Sequence, residues 1–215
     1  MMILEEIFRH NKSQNSEGFN LRIHRGLSWL KKAIYITDDL DLQFMSLMIA
    51  FNAIYAEEIE DKPNGKHSFW DFFERIHHQD YEKKIYQALW GKQQSAIHSF
   101  LASPYVYQAY WDFKNQKKTQ SEWKKSFERE QARTLQAFRF KDSVDVLDQL
   151  FARFLTIRNQ MVHGGVGYKS AMNRKQLDEG CRILLFLLPT FIHILIENAQ
   201  SLDVAKPYYP VVQMS

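Results

Sequence analysis

The sequence predicts an all-α fold, and three observations predict it. Apolar residues recur at helical spacing through several long segments. Only 8 Gly and 5 Pro punctuate 215 residues, so few points force a turn. No stretch of useful length alternates apolar and polar as a half-buried strand does, and no internal repeat is present.

The elements follow in order. Residues 19–34 place Ile23, Leu27, Leu30 and Ile34 on one helix face. Thr37, Asp38 and Asp39 then offer capping side chains before a long helix over 42–58. That helix is apolar on most sides, which makes it central. Its odd residue, Asn52, reads as a hydrogen-bonded core amide or as a group reaching towards Arg158. Glu57, Glu58, Glu60 and Asp61 close it, and Lys62-Pro63-Asn64-Gly65-Lys66 is a loop. Residues 67–140 form a more polar stretch of shorter helices, with breaks at Gly91 and Ser103-Pro104. Two further helices, 143–163 and 173–200, are linked by residues 167–171.

Composition bounds the function. Apolar residues make up 45% and aromatics 14% of the chain, a packed protein rather than a disordered one. The length fits one domain, or one domain carrying an insertion. A lone Cys181 excludes an internal disulfide framework and fits a reducing compartment; set among Ile183, Leu184 and Leu185 it reads as a packed small residue. Residues 1–20 are mostly polar and carry no basic-then-apolar leader, so a cytoplasmic protein is expected. The most apolar segment, 183–196, is broken by Pro189, Thr190 and His193. It falls short of the roughly 20 residues of a membrane span, so a buried helix and no membrane contact are expected. A net charge of +3 is too mild to announce nucleic-acid binding by itself.

The His residues, at 10, 24, 67, 77, 78, 98, 163 and 193, form no zinc-type spacing. No phosphate-cradling glycine loop exists either. No metal and no cofactor are therefore expected. The one basic concentration is Lys114, Lys117, Lys118, Lys124 and Lys125, set among Trp111, Phe113, Trp123 and Phe127 and followed by Arg129 and Arg133. Cations beside stackable rings are what single-stranded RNA binding uses. A solvated helix face with its rings in the core would have the same sequence.

The most informative segment is Arg158-Asn159-Gln160-Met161-Val162-His163, followed by Gly164-Gly165. Leu147, Leu150, Phe151, Phe154, Met161 and Val162 form an apolar stripe with Arg158 in its middle. A guanidinium there is costly unless paired. It is either a core Arg met by a carboxylate of another helix, or it faces a cleft or dimer seam that takes a phosphate; His163 and Asn159 nearby favour the second. Asn159 and His163 share a face, but Arg158 and His163 lie about 140° apart on an ideal helix. Either the last turn unwinds, or a second subunit supplies part of the site. Gly just past a helix is the usual left-handed cap, and a His in the last turn suits the dipole. Capping and catalytic roles are compatible.

The spacing of Arg158, Asn159 and His163 resembles the Arg-x(4–6)-His signature of HEPN domains. The resemblance covers residues 143–165 directly and 44–55 and the last helix loosely. It implies a small antiparallel bundle built by the first two and last two helices, with 67–140 inserted between the halves. It also implies a homodimer in which two motifs face one cleft, and metal-independent RNA cleavage. In that chemistry His163 moves protons, Arg158 neutralises the phosphorane oxygens, and Asn159 positions the phosphate or His163. The setting implied is a toxin or phage-defence effector with an antitoxin or regulatory protein as partner. Some toxin-type members carry a Tyr two residues after the His; here that residue is Gly165, and Tyr168 is offset. The competing reading is a non-catalytic helical dimer that binds RNA or a protein.

Overall fold

The computed structural model describes residues 2–55, 69–202, 207 and 209. Among these residues the fold is all-α, with eleven α-helices, two short 3-10 turns and no strand. The acidic run 57–61 and the loop 62–66 lie outside the described residues.

Helix α1 (Met2–Asn11) precedes α2 (Glu17–Tyr35) and α3 (Leu40–Tyr55). Ser16 caps α2 by accepting from the Phe19 N–H at 3.1 Å, and Asp39 starts α3 by accepting from the Leu42 N–H at 3.0 Å. The two helices pack along their length because Gly26 has no side chain: a Cβ there would lie 2.6 Å from Ile54 Cγ2. Gln43 of α3 donates to the carbonyls of Ala33 and Ile36 at 3.0 and 2.6 Å, satisfying the end of α2. It is one of three buried polar residues of α3, with Asp41 and Ser46. Asn52 is exposed, so it is not a core amide.

Helices α4 (Phe69–His78), α5 (Lys84–Trp90), α6 (Gln94–Leu101) and α7 (Gln108–Lys114) follow. The next, α8 (Gln120–Phe140), is longer than the short helices expected there. A reciprocal capping box of Thr119 and Glu122 starts it. Two helices complete the core, α9 (Ser143–Val162) and α10 (Arg174–Glu197), before the short α11 (Ala199–Leu202).

Four elements meet in an aromatic cluster. Phe51 of α3 lies 4.1 Å, centroid to centroid, from Phe151 of α9; Phe73 of α4 lies 4.9 Å from Phe151 and 5.7 Å from Phe191 of α10. Phe72, Phe73 and Ile76 of α4 and Ile85 and Leu89 of α5 thus belong to the same buried core as the first and last long helices. Helix α10 is long and apolar enough to cross a membrane by length and composition, yet most of it is buried against α1, α2, α3, α5 and α6. Its Leu187, Leu188, Phe191 and Ile192 are core residues.

Candidate functional site

The Arg158–His163 segment is the last turn and a half of α9. Asp142 starts this helix by accepting from the Asp145 N–H at 3.0 Å. At the other end the His163 N–H still donates to Asn159 O at 3.0 Å. The Gly164 and Gly165 N–H groups turn back to Met161 O and Gln160 O at 3.2 and 2.7 Å. These two bonds are the Schellman closure of a helix, and they require the left-handed φ of +68° at Gly164. The last turn therefore does not unwind, and the offset of about 140° between Arg158 and His163 persists within one chain.

Arg158 lies at the rim of the buried face rather than in its middle. Val162, placed on the apolar stripe by its spacing, is 50% exposed, and Arg158 is half-buried. The guanidinium donates through Nη1 to Asn159 Oδ1 at 3.1 Å. Among the described residues it meets no carboxylate. His163 is exposed at the helix end, and its imidazole makes no hydrogen bond among the described residues.

The core Arg paired across helices exists, but it is Arg153. It is only 2% exposed. Its guanidinium carbon lies 4.2 Å from the Tyr107 ring centroid, and Nη2 is 3.8 Å from Glu130 Oε1 of α8. At that distance the contact is an ion pair without a hydrogen bond, and Nε and Nη2 have no hydrogen-bond partner. Burial pulls its pKa down to about 10. The signal that singles out Arg158, a guanidinium inside an apolar run, applies equally between Phe151 and Phe154.

The loop after Gly165 is fastened to α3. The Tyr168 hydroxyl donates to the Asp39 carboxylate, and Arg174 Nη1 pairs with Asp41 Oδ2 at 2.7 Å. The Leu42 N–H, and after it the Tyr168 hydroxyl, hold the Asp39 carboxyl below its ordinary pKa. Asn173, with a left-handed φ of 56°, spends its amide on the motif: Nδ2 donates to Gln160 Oε1 at 3.1 Å.

The basic stretch divides. Lys114, Lys117, Lys118, Lys124 and Lys125 are all exposed. Lys118 lies 3.7 Å from Asp112, whereas Lys114 Nζ sits over the rings of Tyr110 and Phe113 at 5.5 and 5.6 Å. Arg133 is a structural cation, paired with Asp148 at 2.9 Å and with Asp145. Phe113, Trp123 and Phe127 turn towards one another in a half-buried cluster, with Phe113 and Trp123 stacked at 6.0 Å. Of the four rings singled out in the sequence, Trp111 borders an open groove, together with Tyr105, Tyr110 and Lys114. Burial pushes the Cys181 thiol up to about 12, and its Sγ faces Leu40 O at 3.6 Å, the behaviour of a packed residue. Among the described residues no group of three His, Cys, Asp or Glu is placed to hold a metal ion. No protein-family model, curated protein or solved structure matches this chain.

Proposed function

We propose that the chain is a metal-independent endoribonuclease of HEPN type that works as a homodimer. One observation carries the reading: Arg158 is a half-buried cation whose partner is a neutral amide. Arg133, Arg153, Arg174 and Arg182 each face a carboxylate. Arg158 does not among the described residues, so its charge is left for an anion.

The chemistry needs few parts. His163 takes the proton of the ribose 2′-hydroxyl as O2′ attacks phosphorus. The bond to the 5′-oxygen breaks, and that oxygen leaves with a proton. In the dimer the His163 of one copy is the base and the Arg158 of the other the cation, and the departing 5′-oxygen takes its proton from water. Arg158 neutralises charge on the phosphorane oxygens, and Asn159, already bonded to it, holds the guanidinium in place. The offset of Arg158 from His163 makes a single chain incomplete. Leu42, Val162, Tyr168 and Met172 near the motif are each at least half exposed and offer apolar area for a second copy. A toxin or phage-defence setting, with an antitoxin or regulatory partner, rests on the family resemblance alone.

The second reading, a non-catalytic dimer that binds RNA or protein, is favoured by the hydrogen bond that already engages Arg158 Nη1 with Asn159 and by the isolation of His163. Incubating the pure protein with mixed RNAs in EDTA and mapping the ends separates the two. Cleavage leaving 2′,3′-cyclic phosphate and 5′-hydroxyl ends, with DNA intact, is expected. Cleavage that stops in EDTA and returns with magnesium would sink the mechanism.

A further inference from the structure

We propose that the groove between α7 and the start of α10 seats one unpaired nucleotide of the RNA strand, its base against Trp111 and Tyr105 and its phosphate on Lys114. The inference rests on the ribonuclease reading for the identity of the strand.

The groove encloses about 510 Å³, within the roughly 300–1,000 Å³ of small-ligand sites. One wall is a set of fixed rings. Trp111 Nε1 donates to Tyr105 O at 2.8 Å, and Tyr110 stands edge-on to Tyr105 and Trp111 at 5.6 and 5.4 Å. The bond anchors the Trp111 indole, and Tyr105, 47% exposed, packs its ring against Tyr110. Rigid, open aromatic faces take a base at little cost in side-chain freedom. The facing wall carries Met172, 52% exposed, and the amide of Asn173. The rings thus suit a base and the Lys114 ammonium its phosphate.

Charge selects the occupant. Lys114 has no carboxylate partner among the described residues, unlike Lys84, Lys118 and Lys175. Its ammonium is held over Tyr110 and Phe113 at the groove edge, where an anion rather than another cation is favoured. Position supplies the link to the reaction. Asn173, in the groove wall, donates to Gln160, which stands between Asn159 and Met161 on α9. One side-chain pair separates the groove from the Arg158–His163 segment. A strand lying in the groove is led onto the motif.

The test uses a strand that cannot be cleaved, so binding is read apart from catalysis. A fluorescein-labelled hexamer of 2′-O-methyl adenylate is titrated with the wild-type protein and with the variants Tyr105→Ala and Lys114→Glu, followed by anisotropy. Tyr105→Ala should weaken binding by about 5-fold to 150-fold, the range for removing one stacked base. Lys114→Glu should weaken it at least about 5-fold and flatten the slope of log K against log salt by about 0.7 for each phosphate that the protein no longer neutralises. Lys114→Glu changes only an exposed side chain, so it keeps the test sound if the Tyr105 variant misfolds. Wild-type affinity in both folded variants would overturn the groove and leave the ribonuclease reading standing. So would failure of the wild type to bind the hexamer while it cleaves longer RNA in EDTA. Binding that disappears in both variants supports the groove even where no RNA is cut.

Discussion

Asn159 Oδ1 accepts from Arg158 Nη1 at 3.1 Å, so the side chains that differ by one position on α9 act as one unit at the rim of the core. The amide fixes the planar guanidinium without neutralising it. Replacing Arg158 by Lys should therefore lower the cleavage rate at least about 100-fold, because an ammonium cannot give the two-point contact to a phosphate. The fold should be little affected, since Arg158 is half-buried and bears no ion pair among the described residues. Initial rates in EDTA and a urea unfolding curve check both parts. Undiminished cleavage by Arg158→Lys would remove Arg158 from the mechanism.

His163→Ala should abolish cleavage and leave stability within about 0.5 kcal/mol, the usual range for an exposed position. The imidazole is exposed, and the helix end is closed by backbone bonds from Gly164 and Gly165 rather than by the ring. A large drop in stability in this variant would assign His163 to the cap instead.

The cap gives a separate prediction. A Cβ on Gly164 would meet nothing within 4 Å, but the residue holds φ at +68°. Gly164→Ala should then cost about 1–2 kcal/mol from backbone conformation alone, and Gly164→Asn less, since Asn tolerates that region. Chemical denaturation of the three proteins measures the order. Equal stability of the Ala variant would mean that the closure adds little to α9.

The periodic long helices were legible because burial writes itself into apolar spacing. Both α9 and α10 begin and end within a few residues of their expected bounds, and α2 and α3 start within two. Helix α1 was not read from the sequence: Ile3, Leu4, Ile7 and Phe8 are at helical spacing, but the segment spans fewer than three turns and buries only Leu4 and Phe8. The length of α8 was signalled by Thr119 and Glu122 at capping-box spacing, but its polar faces hid the continuity. At the site, the cap at Gly164-Gly165 and the odd Arg could be read locally. What a carboxylate on another helix does for each Arg could not, because Glu130 is far from Arg153 in sequence and adjacent to it only in the fold.

Arg153 should prove a stability residue with an unusual pattern. Burial disfavours its charged form, which is why its pKa falls to about 10, and two of its nitrogens lack a hydrogen-bond partner. Arg153→Ala leaves a cavity beside Tyr107 and should cost about 3 kcal/mol. Arg153→Met keeps the apolar stem and removes the buried charge. Glu130 retains Arg133 at 4.0 Å, so the Met variant should lie within about 1 kcal/mol of wild type or above it. Urea midpoints decide this. A Met variant as unstable as the Ala variant would show that the cation itself holds α8 to α9.

The composite site makes the sharpest prediction. Helix α9 stays wound through Val162, so Arg158 and His163 point about 140° apart in one chain. If one copy supplies the Arg and the other the His, Arg158→Ala and His163→Ala should each be inactive alone and active when mixed. The intact pair then forms from the His163 of the first variant and the Arg158 of the second. With random exchange at equal concentration, half of the dimers are mixed and each carries one complete site of two, so about one quarter of wild-type activity should return. The mixture is assayed after co-refolding, with the mass of the complex checked by light scattering. A dimer that recovers nothing would place both groups of each site in a single chain. A strict monomer at micromolar concentration that still cleaves would remove the two-fold site altogether.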